Sequence, residues 1–289
     1  MFRLNDVLHA HSLPPEETVV LLHTPPERRL AKLLPFLAEA SPEVLEAFQA
    51  VHSSRPTKTL RKRQYMVSFV RLLSGQMAFA GAFCNCGVED RPAADICADP
   101  AMRRVIDEFG ANTYLEDDGV ETWPYFNFKR VPALADYVGR IQIIHQGRTY
   151  ARLAETLDAE IVEFTQASVM ATHPPDWRDF IVTGPELRTL PKSWAARLRE
   201  WRGIYLIVNE NDGARYVGAA YGEDNLLGRW RTHVARDRGV TAALCRLNPR
   251  NFRFSILERV SPDALRDEVI ALEQSWMKRL HTKDHGLNR

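Results

Sequence analysis

The sequence predicts an α+β protein with two domains, and three observations support this fold class. The chain has 289 residues, which corresponds to about two domains at roughly 150 residues each. Hydrophobic residues make up 45% and charged residues 26% of the chain, proportions that are typical of globular proteins and exclude global disorder. Segments with strand patterns and hairpin signals follow a helical stretch, which predicts helices packed with an antiparallel sheet.

Residues 1–172 are predicted to form the first domain, with an antiparallel β-rich core. Up to about residue 50, leucines recur at intervals of three and four between prolines, which predicts short helices. From Tyr65 the pattern changes to extended apolar segments, and Ser74 and Gly75 between two of them are typical of a hairpin turn. The predicted elements are strands at 65–73, 77–86, 139–147 and 159–166 and a helix near 101–110.

A linker is predicted over residues 173–193, where four prolines fall among few periodic apolar positions. The second domain then covers residues 194–289 and is predicted to contain a three-stranded antiparallel sheet flanked by helices. An Asn-Asp-Gly turn signal ends at Gly213, and Ser261, followed by Pro262, is predicted to begin the last helix. The predicted elements are strands at 203–208, 215–220 and 252–260 and helices at 224–236 and 261–280.

The charge is distributed unevenly although the net charge is only +1. Residues 195–289 carry a charge of +5 and the remainder −4, which is a mild indication of a polyanionic partner for the second domain. No apolar segment approaches the roughly 20 residues that span a bilayer, so no membrane association is expected. Four cysteines are too few for a disulfide framework, so a cytoplasmic location is expected. Zinc is not expected, because Cys84, Cys86 and Cys97 lack a fourth ligand at the usual spacing.

Glu273 is the most informative single residue, because it falls inside an apolar stripe of the last predicted helix. Val269 and Ile270 precede it by one turn, and Trp276 and Met277 follow it by one turn. A carboxylate buried there without a partner would cost several kcal/mol, so a cation, a metal ion or a set of donors is one expectation. The alternative is that Glu273 lies at the edge of the stripe and reaches water.

Arg229 and His233 lie one helical turn apart and form a second candidate group. A guanidinium offers a planar fork for phosphate oxygens, and an imidazole can move a proton near pH 7. The same spacing is also common on solvated helix faces. Tyr205 and Tyr216 lie on the two predicted hairpin strands, where aromatic residues are favoured by packing alone.

The order of these residues resembles the GIY-YIG nuclease family. The two family motifs read GIY at residues 203–205 and YVG at residues 216–218, the second with a conservative change of isoleucine to valine. The resemblance covers about 95 residues at the C-terminal end and reproduces the order hairpin, helix, strand, helix. The residues that match the family's site are Tyr205, Tyr216, Arg229, His233, Glu273 and Asn288.

The resemblance implies hydrolysis of a phosphodiester by attack of water, with one divalent metal ion. Glu273 would hold Mg²⁺ or Mn²⁺, hard cations that prefer carboxylate oxygen. Tyr205 would help to deprotonate the attacking water, with His233 as the proton acceptor behind it.

The resemblance also implies roles for the three other matched residues. Arg229 would stabilise the negative charge that develops in the transition state. Tyr216 would orient the phosphate or the water, and Asn288 would fix the geometry of its neighbours. The residues alone do not separate the roles of the two tyrosines.

The first domain offers an aromatic cluster as a candidate nucleic-acid contact. Trp123, Tyr125, Phe126 and Phe128 follow an acidic loop at residues 116–118. Such rings could stack on a flipped or unpaired base, or they could fill the core of a small sheet. The candidate nucleic-acid contacts are Trp123, Tyr125, Phe128 and, in the second domain, Arg231.

Together these features predict a DNA endonuclease in which the first domain recognises the substrate and the second domain cuts it. A bacterial restriction or phage-defence role is expected, with modified bases as one class of target. The alternatives are a repair or homing-type nuclease and a catalytically silent nucleic-acid-binding protein. A homodimer is expected, at least on DNA, because double-strand cutting requires two active sites or two binding events.

Overall fold

The computed structural model describes residues 2–117, 119–147, 149–170, 174–236 and 240–288. The chain divides into two compact units, Met1–Thr172 and His173–Arg289. Both units combine a sheet with helices, which confirms the predicted α+β class. No helix within the described ranges is long and apolar enough to cross a membrane. Two residues named in the sequence predictions, Asp118 of the acidic loop and His173 at the start of the linker, lie outside the described residues.

The first unit contains one mixed sheet. Its strands are β1 Thr18–His23, β2 Tyr65–Arg71, β3 Met77–Pro92, β4 Thr122–Arg130, β5 Ile141–Ile143, β6 Ala151–Leu153 and β7 Ile161–Phe164. Within the described residues the strand order is β6-β1-β2-β3-β5-β7, and β4 pairs with β3 off this path. The long strand β3 therefore connects the central sheet to the segment that carries the aromatic cluster.

Helices in the first unit pack against this sheet. They are α1 Leu4–Ala10, α2 Arg28–Ala40, α3 Pro42–Phe48, α4 Ser54–Leu60, α5 Ala93–Ala98, α6 Pro100–Phe109, α7 Tyr114–Asp117 and α8 Ala154–Leu157, with 3-10 turns at Pro15–Glu17 and Pro132–Tyr137. The leucines of α2 at intervals of three and four are all fully buried and pack in one core with α3 and α6. The helical patterns near residues 30–37 and 101–110 are thus confirmed.

The sheet of the first unit differs from the predicted antiparallel arrangement. Strand β1 pairs in parallel with β2, with Thr18 opposite Tyr65, because the chain between them crosses over through α2, α3 and α4. Strand β1 itself lies in the stretch for which only helices were predicted. All six of its residues are buried, and the short apolar run at residues 19–22 cannot be told from a buried helix by periodicity.

The second unit contains a four-stranded antiparallel sheet within its described residues. Its strands are β8 Ile181–Thr183, β9 Arg202–Asn209, β10 Arg215–Ala220 and β11 Phe252–Val260, in the order β10-β9-β11-β8. Its helices are α9 Gly184–Arg188, α10 Lys192–Glu200, α11 Asn225–Ala235, α12 Ala242–Cys245 and α13 Arg266–Arg279, with a 3-10 turn at Pro249–Asn251. The predicted hairpin, helix and third strand are present.

The stretch 173–193 does not form the predicted linker. It supplies β8, which pairs with β11 and adds a fourth strand to the predicted three, and it also supplies α9. The ring of Phe180 is fully buried and lies 5.2 Å from Trp194 and 5.7 Å from Trp201, measured between ring centroids. Two of the four prolines of this stretch stand at helix starts. Pro185 lies in the first turn of α9 and Pro191 directly precedes α10, where proline's fixed φ is favourable.

The last helix begins later than predicted. Helix α13 starts at Arg266, and the hydroxyl of Ser261 instead accepts a hydrogen bond from the backbone N–H of Asp263 in a turn. The carboxylate of Glu268 accepts a hydrogen bond from the backbone N–H of Leu265 at 2.9 Å. Glu268 therefore stabilises the first turn of α13, as expected for an acidic group at a helix N-terminus.

Candidate active site

The hairpin of β9 and β10 brings the two motif tyrosines together. Tyr205 lies opposite Gly218, and Tyr216 lies opposite Ile207, so both tyrosine side chains are on the same face of the sheet. Their ring centroids are 6.5 Å apart. Tyr205 is completely buried and Tyr216 is 5% exposed. The structure thus places both tyrosine rings in the core of the second unit.

Gly218 makes room for the hydroxyl end of Tyr205. A Cβ atom at residue 218 would lie 2.5 Å from Cζ of Tyr205 and 2.9 Å from a ring carbon of Tyr216, closer than real Cβ atoms come to other side chains. Gly203 is constrained differently, because a Cβ there would overlap the backbone carbonyl of Glu258 beside the bulge in β11. Neither glycine was among the predicted site residues, although both belong to the two motifs.

His233 on α11 faces the same tyrosines and forms a short polar contact with one of them. Its Nε2 lies 2.7 Å from the hydroxyl oxygen of Tyr205, and both side chains are fully buried. Burial, reinforced by the charge of Arg229, lowers the pKa of His233 to about 3. The imidazole is therefore neutral near pH 7, so Nε2 can accept the phenolic proton when Nδ1 carries the ring proton.

Burial also determines the protonation state of the tyrosines. It raises the pKa of Tyr205 well above its usual value, with a further contribution from Tyr216. Burial likewise raises the pKa of Tyr216, and Arg229 opposes this rise. Arg229, half-buried on α11, lies within hydrogen-bonding reach of both phenols. The resting site therefore contains two neutral phenols, one neutral imidazole and one fixed cation.

Glu273 faces a cavity of about 740 Å³ between α11, the end of β10 and α13. Arg229, Arg231 and Tyr221 also line this cavity. Burial raises the pKa of Glu273, while the backbone of Ala219 and the charges of Arg229 and Lys283 oppose the rise. The carboxylate is thus neither free in bulk water nor sealed in the apolar stripe. Lys283, which no periodic pattern indicated, is a further charge that acts on it.

A divalent metal ion fits the donor chemistry at Glu273. The side chain forms no ion pair among the described residues, and its oxygens are the donors that Mg²⁺ and Mn²⁺ prefer. No group of three or more His, Cys, Asp or Glu that could hold a metal occurs within the described ranges. A metal at Glu273 would therefore have one protein carboxylate and would complete its coordination with water and substrate oxygens, for which the cavity has room.

Asn288 is brought to the site by the segment after α13. Its Nδ2 donates to the carbonyl oxygen of Val217 at 2.7 Å, and its Oδ1 accepts from the N–H of Val217 at 2.8 Å. The next residue back, Leu287, donates its backbone N–H to the carbonyl of Arg215. The backbone of Leu287 and the side chain of Asn288 thereby bind the outer edge of β10 on the two sides of Tyr216, although the distance of Asn288 along the sequence gave no sign of this contact.

The aromatic residues predicted for the first unit do not form one platform. All lie on β4, but the alternation of the strand directs Trp123 and Tyr125 to the core that contains α2, α3 and α6. Phe126 and Phe128 pack in a different core and are stacked at 5.3 Å. Trp123 lines a separate cavity in this unit, whereas Arg91 covers Tyr125 at 4.0 Å from its ring centroid.

Comparisons with known proteins find a family match for the second unit. Residues 202–288 match the family model of the GIY-YIG catalytic domain. Among solved structures, the catalytic domain of the homing endonuclease I-TevI is 28% identical, with a TM-score of 0.26, over 30% of this chain and 95% of that chain. A mutant of the catalytic domain of the intron endonuclease I-TevI is 27% identical, also with a TM-score of 0.26, over 30% of this chain and 92% of that chain. No curated protein matches the chain. Residues 202–288 are a GIY-YIG catalytic domain, and by that domain the chain is an endonuclease.

Proposed function

We propose that this endonuclease hydrolyses phosphodiester bonds of DNA with the help of a divalent metal ion, and that it acts in the cytoplasm in restriction or phage defence. The observation that supports the chemistry best is the buried hydrogen bond of 2.7 Å between Tyr205 and His233, which adjoins Arg229. This arrangement combines a proton path with a cation, as phosphodiester hydrolysis requires.

The proton path runs from the attacking water to the phenol and then to the imidazole. The raised pKa of Tyr205 makes its free phenolate scarce at pH 7. The phenol can nevertheless accept a proton from water as it passes its own proton to neutral His233. The Nε2 atom is already in place for this transfer, and the transferred proton then lies on a ring that Arg229 disfavours as a cation, so the charge must return to solvent after each turnover.

Arg229 is suited to stabilise the pentacoordinate phosphorus of the transition state. Its guanidinium is half-buried, where charge is screened less than at the surface. It is also held between two phenols, so little reorganisation is needed when negative charge develops. Arg231, which lines the same cavity and is exposed, would add a contact to the DNA backbone.

Glu273 would hold the metal ion, which when bound supplies Lewis-acid stabilisation of the scissile phosphate and of the leaving oxygen. Asn288 would keep Tyr216 in place through its two hydrogen bonds to Val217. Tyr216 would then orient the phosphate or the water with its hydroxyl.

The restriction role rests on the division of the chain. A catalytic domain of 87 residues offers little surface for reading a target, and a larger unit with its own core accompanies it. The excess of positive charge in residues 195–289 fits contacts with phosphates that do not depend on sequence. We further propose that the protein acts as a homodimer on DNA, because one active site cuts one strand at a time.

The test is cleavage of unmodified plasmid and of plasmid with modified cytosines, each with Mg²⁺, with Mn²⁺ and with chelator. We expect cleavage that depends on the metal and that discriminates between the two plasmids. Glu273→Gln is the matched inactive control. Cleavage that persists in chelator would refute the metal dependence, and equal cleavage of all DNA at random positions would refute the restriction role. Sedimentation of the Glu273→Gln protein, alone and with a duplex that the parent protein cleaves, measures its oligomeric state.

A further inference from the structure

The first unit contains a cavity of about 630 Å³ that the proposed chemistry does not use. Its walls are the rings of Phe48, Tyr114, Trp123 and Tyr150. The volume falls within the range of about 300–1,000 Å³ that is usual for pockets that hold small molecules. The rings of Tyr114 and Trp123 pack at 5.0 Å between centroids with a tilt of 55°, so they form a corner and not a closed stack.

Polar atoms without partners point to a ligand in this cavity. Both ring nitrogens of His23, Nε2 of His52 and Nε1 of Trp123 are buried and have no hydrogen-bond partner among the described residues. His23 is 1% exposed and His52 is 5% exposed, and both line the cavity. Buried polar atoms without a partner are uncommon, because each has lost its hydrogen bonds to water and gains none in the protein, which destabilises the fold.

The two histidines are neutral under ordinary conditions. Burial lowers the pKa of His23 to about 4, and the side chain of Gln49 opposes this shift. Burial, with a smaller contribution from His23, lowers the pKa of His52 to about 3. A neutral imidazole presents one donor and one acceptor. The floor of the cavity therefore offers donors and acceptors side by side without a charge.

The lining favours a neutral planar ligand over a phosphate. No lysine or arginine whose side chain the structure describes lines the cavity, whereas Glu27 does. Basic residues occur immediately outside: Ser53 and Pro56 line the cavity, and the same segment carries exposed Arg55, Lys58 and Lys62. A ligand with a neutral ring and an adjoining phosphate chain would match this separation of aromatic, polar and basic groups.

We infer that this cavity holds a single nucleobase extruded from duplex DNA, with its ring against Trp123 and its edge hydrogen-bonded to His23 and His52. The edges of bases carry donors and acceptors next to each other, which neutral imidazoles can read. The phosphates on either side of the base would lie against the basic segment at residues 55–62. This inference rests on the proposed DNA substrate, and it assigns the recognition step to a defined site in the first unit.

The experiment compares the affinity of the full chain for a duplex with one central mismatch and for the fully paired duplex. A mismatched base costs less to extrude, so a protein that captures it prefers the mismatched duplex. Every protein carries Glu273→Gln to prevent cleavage. The cavity is blocked by Thr113→Trp at an exposed lining position, and it is opened by Trp123→Leu. Phe164→Ala, which removes an exposed ring from β7 of the same unit, is the matched control.

We expect a preference of about tenfold for the mismatched duplex, reduced to less than about twofold by Thr113→Trp and by Trp123→Leu and unchanged by Phe164→Ala. An unchanged preference in both cavity variants would overturn the inference. A second result would also overturn it: the protein binds free nucleosides tightly, Thr113→Trp abolishes that binding, and no preference for the mismatched duplex is found. The cavity would then hold a free ligand and not an extruded base. Plasmid cleavage by the chain with Glu273 intact is measured in parallel. If the plasmid is not cleaved, the proposed function is refuted. If it is cleaved normally but the cavity variants keep the preference for the mismatched duplex, only the role of the cavity is refuted.

Discussion

Asn288→Ala is expected to loosen the edge of the catalytic sheet by about 2–4 kcal/mol. The side chain is 8% exposed and makes two hydrogen bonds to Val217, of 2.7 and 2.8 Å. Each bond contributes about 1 kcal/mol, and leaving the buried N–H and carbonyl of Val217 without partners adds up to about 1 kcal/mol for each group. Within the described residues β10 is an edge strand, so no neighbouring strand can take over these bonds.

Hydrogen exchange of the full chain, followed by mass spectrometry of peptides from β10, measures this change directly. A loss of 2 kcal/mol or more in local stability accelerates exchange by about 30-fold or more. Cleavage should fall as well, because Tyr216 precedes Val217 on the same strand. Asn211→Ala, an exposed residue in the β9–β10 turn, should change exchange by less than about threefold. Exchange of β10 in Asn288→Ala that stays within threefold of the parent protein would refute the reasoning.

Three further predictions concern catalysis and the boundary of the second unit. Glu273→Gln should reduce cleavage below roughly a tenth of the parent rate at saturating Mg²⁺, because the amide keeps the shape of the side chain but loses its charge. DNA binding, measured by gel shift, should be nearly unchanged. A larger residual rate would remove Glu273 from the metal site. His233→Ala should lower the cleavage rate most at low pH. With a pKa of about 3 the native imidazole can accept a proton throughout the neutral range, whereas the variant depends on hydroxide, whose concentration rises with pH. A loss of rate that does not depend on pH would indicate that His233 positions its neighbours instead. A fragment of residues 174–289 should unfold cooperatively in urea. A fragment of residues 190–289 should be less stable by several kcal/mol, because it lacks β8 and the buried Phe180. Equal urea midpoints for the two fragments would contradict the assignment of residues 174–189 to the second unit.

Local patterns were sufficient to predict the part of the fold that carries the site. An Asn-Asp-Gly turn between two extended runs specifies a hairpin within about fifteen residues, and the apolar spacing of α11 fixes which of its faces is buried. Arg229 and His233 follow from that spacing, since residues one turn apart share a side of the helix. The contact between His233 and Tyr205 could be expected only from the resemblance to a family, because it joins residues 28 positions apart.

Longer-range features could not be read from the sequence. The parallel pairing of β1 with β2 joins residues 47 positions apart across three helices, and no local pattern encodes the partner of a strand. The prolines of 173–193 suggested a linker, yet β8 is stabilised by pairing with β11, about 70 residues later. In the same way, Asn288 pairs with a backbone 71 residues before it. Each of these contacts depends on tertiary burial and not on local propensity.

The charges around the catalytic cavity bear on why a carboxylate occurs there at all. Arg229 attracts a phosphodiester, but Glu273 faces the same cavity and, when ionised, repels it. The raised pKa of Glu273 shows that burial already disfavours its charge, and an approaching phosphate would disfavour it further. A cation bound by Glu273 would reverse the sign of this interaction. The carboxylate would then assist substrate binding only when the cation is present, which would make cleavage conditional on the metal without a change in the fold.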